Sequence, residues 1–226
     1  MADLRIGSIL PPVGDIKVGS QSVDRIYAGD TRIFPNYACT LGDVTIGTQT
    51  FMGCNLDVDT YRNGDPIPEV QTTSWNSLTT GAWCYYANAT ANGVIYGKLY
   101  NWYAVNDSRG LAPVGYHVPT FAEITTLANY LGGYTVAGGK VKQAGTVLWQ
   151  SPNSATNTSG FTAIPGGYRS QAAGGFNSLL TFAGFWTSTA GASTGAMRWA
   201  CTNSQGSIGY SAVDENIGSS VRLIKD

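Results

Sequence analysis

Charge is what this sequence has least of. Only 12% of its 226 residues are Asp, Glu, Lys or Arg, about half the share usual in soluble proteins. The 13 basic residues are scattered, 14 acidic residues offset them, and the formal net charge is -1. No basic block exists to meet a phosphate backbone, which argues against nucleic acid as a partner. Histidine occurs once, at His117. Metal and acid–base sites built on several imidazoles therefore lack their residues. No run approaches the roughly 18 apolar residues of a membrane span, so no membrane insertion is expected. The opening MADLRIGSILPPVGDIKVG has acidic residues and prolines but no apolar leader core. The mature form is read as beginning near Met1. Any role outside a cell then needs another exit, such as packaging in a particle released by lysis.

The cysteines Cys39, Cys54, Cys84 and Cys201 match no zinc-knuckle spacing and no CxxC pair. Cys39 and Cys54 flank a hairpin, so a bridge between them stays open. Synthesis in a reducing compartment favours buried thiols.

What the sequence has is glycine, 29 residues, with abundant Asn, Ser and Thr and 12% aromatics. Glycine and short polar residues oppose long helices, and the aromatics oppose disorder. A surface rich in neutral hydrogen-bonding groups suits sugars, or other proteins, better than polyanions.

Residues 1–37 differ from the rest. SQSVDRIYAGDTRIFP reads as a small hairpin, with Val23, Ile26 and Tyr27 before the turn at Gly29-Asp30 and Ile33 and Phe34 after it. Two short strands are marginal alone, so this segment is read as an attachment unit. The main domain runs over 38–226. Val44 to Met52 reads as a hairpin turning at Gly47, and 60–75 and 87–94 read as loops. Gly97 to Val105 is the first helix candidate, with Leu99, Trp102 and Tyr103 on one face. The strongest local signal is PTFAEITTLANYLGG (119–133). There Thr120 and Glu123 form a capping box, Ile124, Leu127 and Leu131 a stripe, and Gly132 a C-terminal cap. After residue 134 the chain reads as loop-rich. Strands are expected at Gly184 to Ser188, Ala196 to Thr202 and Ser219 to Lys225. In the last, Val221 and Leu223 face opposite to Arg222 and Ile224. The fold class is α+β, with two helices, small antiparallel sheets and long Gly/Asn-rich loops.

Several stretches carry a resemblance: IGTQTFMGCNL (46–56), LTTGAWCYYAN (78–88), YGKLYNWYAV (96–105), GLAPVGYHVPTFAEITTLANYLGG (110–133), VAGGKVKQAG (136–145), NTSGFTAIPGGYR (157–169), FWTST (185–189) and SSVRLIKD (219–226). In this order they resemble the Fibrobacter succinogenes major paralogous domain, a family related to the C-type-lectin-like superfamily. The resemblance implies a C-type-lectin-like fold whose two ends meet in one small sheet, with Phe161 and Trp186 buried. Where the family often has a cysteine pair, this chain has Ala112 and Leu223, and packing is expected to replace the bridge. Tyr116 stands in for the family's usual Trp. The hairpin in 1–37 is similar to short units of tailed-bacteriophage structural proteins.

No Ser/His/Asp order and no HExxH motif surrounds His117, which is read as structural. Related folds include sulfatase-activating enzymes that need a reactive cysteine pair in the C-terminal half, where only Cys201 stands. The chain is therefore read as not an enzyme, with no cofactor required. Calcium is the one metal left open. Asp214, Glu215 and Asn216 form the densest oxygen-rich cluster, against the plainer reading of a solvated loop. Asp57 and Asp59 are a weaker pair. Ligand contact is assigned to Tyr168, Arg169, Arg198, Asn203 and Tyr210, aromatic and hydrogen-bonding residues among Gly, Ser and Thr.

The expected function is a virion protein, assembled in the host cytoplasm. Residues 1–37 would bind other virion structural proteins, while the main domain, as a homo-oligomer, binds a host-surface glycan or protein. The alternatives are an architectural capsid or tail decoration protein and a bacterial surface ligand-binding protein.

Overall fold

The computed structural model describes residues 42–171, 175–193 and 195–226 throughout, and before them only the backbone of four short strands. Those strands are β1 (Lys17–Val18), β2 (Gln21–Ser22), β3 (Ile26–Ala28) and β4 (Thr31–Phe34). β1 pairs with β2 and β3 with β4, both antiparallel. The expected hairpin pairing is thus present. Cys39, and any bridge it makes, lies outside the described residues.

The domain begins with β5 (Val44–Ile46) and β6 (Gln49–Phe51), the hairpin read from the sequence. β7 (Trp83–Cys84) follows, then α1 (Thr90–Tyr96), β8 (Leu99–Tyr100) and α2 (Trp102–Val105). Next come β9 (Tyr116–His117), α3 (Phe121–Tyr130) and α4 (Tyr134–Val141). The remainder is β10 (Tyr168–Arg169), β11 (Phe176–Asn177), β12 (Phe182–Ala190), β13 (Ala196–Thr202), β14 (Gly209–Val213) and β15 (Ile224–Lys225). The main sheets are four strands in the order β5-β6-β15-β9 and three in the order β12-β13-β14. The fold is mixed α/β, with several small antiparallel sheets.

Four helices are described where two were expected. The single helix over Gly97 to Val105 is a misreading with a physical cause at Asn101. Its buried side chain accepts the Ala104 N–H at 3.1 Å and the Ala82 N–H at 2.9 Å. Asn101 is therefore an N-cap. The helix starts after it, and Leu99–Tyr100 pairs instead with Trp83–Cys84. α1 occupies the segment read as a loop. Its Gly93 admits the Tyr85 ring, which a Cβ there would strike at 2.1 Å. α4 runs through Gly138-Gly139, read as a turn, because α4 lies against the 206–207 backbone. A Cβ on Gly138 would stand 2.1 Å from the Ser207 oxygen.

α3 follows the sequence reading closely. The Thr120 hydroxyl accepts the Glu123 N–H at 3.2 Å, and the Glu123 carboxylate accepts the Thr120 N–H at 2.7 Å. At the other end Gly132, with φ +97°, donates to Asn129 and Gly133 donates to Ala128. That is a Schellman closure. Ile124, Leu127 and Ala128 are fully buried in one core cluster with Phe51, Phe161, Phe185, Trp199 and Ile224. A second cluster gathers Tyr100, Trp102, Trp186, Val221 and Leu223. The final segment divides between them, with Val221 and Leu223 in the second cluster and Ile224 in the first, as the alternation predicts. Ala112 shares the second cluster with Leu223, so apolar packing stands where the family's cysteine pair is expected. Tyr116 packs on the same cluster and donates its hydroxyl to Asp43 at 2.7 Å. Trp186 and Phe161 are both fully buried.

Long loops are held by cations buried among carbonyl oxygens. Arg169 donates to Val70, Gln71 and Thr72 oxygens at 2.6, 3.2 and 2.7 Å, and Lys142 to Thr202, Asn203 and Gln205 oxygens at 2.7, 3.1 and 2.8 Å. Arg222 donates to the Phe161 oxygen at 2.7 Å and the Asn55 side chain at 2.9 Å. A charge-assisted bond to a neutral acceptor satisfies orphan loop carbonyls without burying a second charge. No helix among the described residues is long and apolar enough to cross a membrane.

Candidate functional site

The three-stranded sheet positions the site. Along β13, Trp199 and Cys201 turn into the first core cluster, while Arg198, Ala200 and Thr202 point to the other face. Their cross-strand partners on β12 are Trp186, Gly184 and Phe182. On β14, Ser211 lies opposite Arg198 and Gly209 opposite Ala200. The small residues Gly184, Ala200 and Gly209 leave the floor low. A Cβ on Gly184 would meet the Phe182 ring at 2.5 Å, so glycine is what lets that ring fold across its strand.

Over this floor lies a cavity of about 190 Å³, walled by Phe182, Arg198, Thr202, Gln205, Ser207 and Tyr210. The Arg198 guanidinium is 5.0 Å from the Phe182 ring centre and 5.3 Å from that of Tyr168. Those two rings meet edge to face at 5.5 Å. Burial draws the Arg198 pKa down to about 10, which leaves it charged at neutral pH. Its hydrogen bond among the described residues is a long one, from Nη1 to Ser219 Oγ at 3.4 Å. The Thr202 hydroxyl oxygen is buried without a hydrogen-bond partner among the described residues. Tyr210 is 53% exposed, and its ring packs at 4.9 Å against both Phe121 and Tyr134. The far wall, residues 202–208, is tied to α4. Gly139 donates to Gly206 at 2.8 Å, Ile208 donates to Tyr134 at 2.8 Å, and Lys142 holds the carbonyls before them.

Two of the five expected ligand residues, Tyr168 and Arg198, thus meet on one face of the sheet, whereas the Tyr210 ring, cross-strand from Trp199, lies on the other face against Phe121 and Tyr134. Asn203 follows β13, just outside the cavity lining, and donates to the Gln150 oxygen at 3.3 Å. Arg169 is a correction. It is fully buried, committed to the 70–72 carbonyls and stacked 4.6 Å from the Trp75 ring. Adjacent strand residues face opposite ways, so Tyr168 and Arg169 could not both face outward. Phe182, Gln205 and Ser207 were not assigned from sequence. Phe182 was legible in the spacing Phe182-Gly184-Trp186, which sets its ring on the face of Arg198.

Asp214, Glu215 and Asn216 line a second open cavity beside Tyr103 and Ser193. Asp214 accepts the Asn216 N–H at 2.8 Å and closes its own turn. The Asn216 amide nitrogen faces the Leu78 and Trp75 carbonyls at 2.8 and 3.3 Å. Desolvation first, and then the nearby Glu215 carboxylate, raise the Tyr103 pKa. Among the described residues no group of three or more His, Cys, Asp or Glu gathers as metal ligands. Asp57 is taken by Lys98 at 2.9 Å.

His117 bridges Asp226 at 2.8 Å and Glu123 at 2.9 Å. Desolvation opposes its protonation, but the two carboxylates outweigh it and raise its pKa. It fastens β9 and β15 to the first turn of α3, a structural role. Burial pushes the Cys84 thiol up to about 11 and the Cys201 thiol up to about 12, so both stay protonated at neutral pH.

The architecture is thus that of an α+β domain of small sheets with a half-buried arginine and aromatic rings on one open sheet face. The sequence profile of the Fibrobacter succinogenes major domain matches residues 44–225, and the chain belongs to that family. No curated protein and no solved structure shows significant similarity to it.

Proposed function

We propose that this chain is a non-catalytic bacteriophage virion appendage, of tail- or head-fibre type, whose family domain binds a host-surface glycan or protein. The observation that carries the binding reading is the Arg198 guanidinium held against Tyr168 and Phe182 beside an open, hydroxyl-lined cavity. Aromatic faces with a few convergent polar groups are what small-ligand sites are built from. At about 190 Å³ the cavity is smaller than the roughly 300 Å³ at which drug-sized sites begin, which suits one sugar ring or one head group.

A C-type-lectin-like fold is supported by the pairing of β6 with β15, which joins the two ends of the matched region in one sheet. The attachment role of residues 1–37 is supported by the β3–β4 pairing and by its likeness to short phage structural hairpins. Shallow single sites gain strongly from multivalency, so a homo-oligomer fits this reading.

Immunogold labelling of phage particles with antibody against residues 38–226 tests the placement. Label at tail or fibre tips supports the proposal. Label spread over the capsid favours architectural decoration, and antigen on bacterial cells alone favours a bacterial surface protein. Binding of the labelled chain to host cells, weakened by Arg198→Ala in a folded variant, tests the site itself.

A further inference from the structure

Arg198 differs from every other deeply placed cation described above. Arg169, Lys142 and Arg222 each spend their N–H groups on backbone or amide oxygens at 2.6 to 3.3 Å. Arg198 is half-buried, yet among the described residues it makes the single 3.4 Å contact to Ser219 and no ion pair. A guanidinium offers five donors in a flat fork that matches a carboxylate. Leaving most of them unused in a half-buried site is costly. The cost is recovered when an anion enters. The Phe182 and Tyr168 rings fix the plane of the fork without consuming its donors.

The remaining walls choose the class of anion. Thr202, Gln205, Ser207 and Ser211 supply neutral hydroxyl and amide groups, the Phe182 ring supplies an aromatic wall, and among the described residues no carboxylate lines the cavity. We infer that this cavity is a subsite for a carboxylate-bearing sugar, with Arg198 pairing the carboxylate and the hydroxyl and amide walls meeting the sugar hydroxyls. The inference rests on the glycan-binding reading and narrows it to acidic glycans. An acidic peptide would satisfy Arg198 equally but would leave the hydroxyl and amide walls without a matching partner.

The test is calorimetric titration of the full chain with a galacturonate tetrasaccharide, with its carboxyl-reduced counterpart and with a tetraglutamate peptide. The acidic sugar is expected to bind about tenfold or more tightly than the reduced one, the effect of one charge-assisted pair. Arg198→Gln should abolish that difference, and a preference for the acidic sugar that survives the substitution would overturn the inference. If Arg198→Gln does not fold, ionic strength decides without mutation, because affinity for the acidic sugar alone should fall as salt rises. Equal affinity for acidic and reduced sugars overturns the inference while leaving glycan binding in place. Tighter binding of the peptide overturns the sugar class. Absence of binding by all three overturns the inference, and the host-cell assay then decides separately whether the binding reading stands.

Discussion

The Lys142 ammonium lies 2.7 Å from the carbonyl oxygen of Thr202, the last residue of β13, and caps the loop that walls the cavity. With Asn203 and Gln205 it closes three carbonyls around one charge. An uncharged side chain of similar length leaves those oxygens buried and unpaired. Lys142→Met is therefore expected to cost about 2–4 kcal/mol in urea unfolding, and any ligand of the Arg198 cavity should bind more weakly to the folded fraction. A loss below about 0.5 kcal/mol would show that the three carbonyls find water instead.

Arg169 holds the 70–72 strand of loop by its fork and by its stacking on Trp75. A lysine has one point donor and no flat face to stack. Arg169→Lys is thus expected to lose about 2 kcal/mol or more, close to the loss for Arg169→Met. If the lysine variant unfolds at the wild-type urea midpoint, the fork geometry contributes nothing.

These cations also mark where sequence reading stopped. Local signals were legible. The Thr120–Glu123 box placed α3, the alternation of Val221 with Arg222 placed two core clusters, and the apolar run at 196–202 gave β13 to the residue. What failed depended on partners distant in sequence. Gly138-Gly139 reads as a turn until the backbone at 206–207 is laid against it. Arg169 reads as exposed until loop 70–72 supplies its acceptors. Asn101 was the exception, a local N-cap signal that the aromatic periodicity around it concealed. At the site, Arg198 and Tyr168 were readable as types, but their meeting around Phe182 required the β12–β13 register, and the β13–β14 register turns Tyr210, opposite Trp199, to the other face.

His117 links stability to pH in a direction that follows from its raised pKa. Its contribution is fully present below the unfolded histidine value of about 6.5 and is lost as pH rises through the higher folded value. Desolvation works against Glu123 ionising, but the Thr120 N–H and His117 outweigh it and lower its pKa, so its contribution is lost only as pH falls through that lowered value. The clamp is therefore strongest between the two, around pH 5–6.5. His117→Gln should lower the melting temperature at pH 5.5 and do so less at pH 8.5. Because the imidazole is 38% exposed, screening holds the effect below about 1 kcal/mol. An equal deficit at both pH values would mean that the histidine acts by packing alone.

The neighbouring glycines of α4 make opposite predictions. In a helix interior alanine is favoured over glycine by up to about 1 kcal/mol. At Gly139 the nearest atom to an added Cβ is 3.8 Å away, ordinary contact distance, so Gly139→Ala should stabilise the fold by several tenths of a kcal/mol. At Gly138 the added carbon would lie 2.1 Å from the Ser207 oxygen and 2.4 Å from its carbon, both backbone atoms that cannot swing aside. Gly138→Ala must push α4 off the 206–208 loop and is expected to cost about 1–3 kcal/mol despite its helix preference. It also strains the Gly139–Gly206 and Ile208–Tyr134 hydrogen bonds that set the cavity wall. Thermal melts of the two variants side by side separate packing from propensity. If both alanines stabilise, the helix is free to shift and the wall is not fixed by close approach. If Gly138→Ala alone destabilises, the backbone contact between α4 and the loop is what holds the wall of the Arg198 cavity.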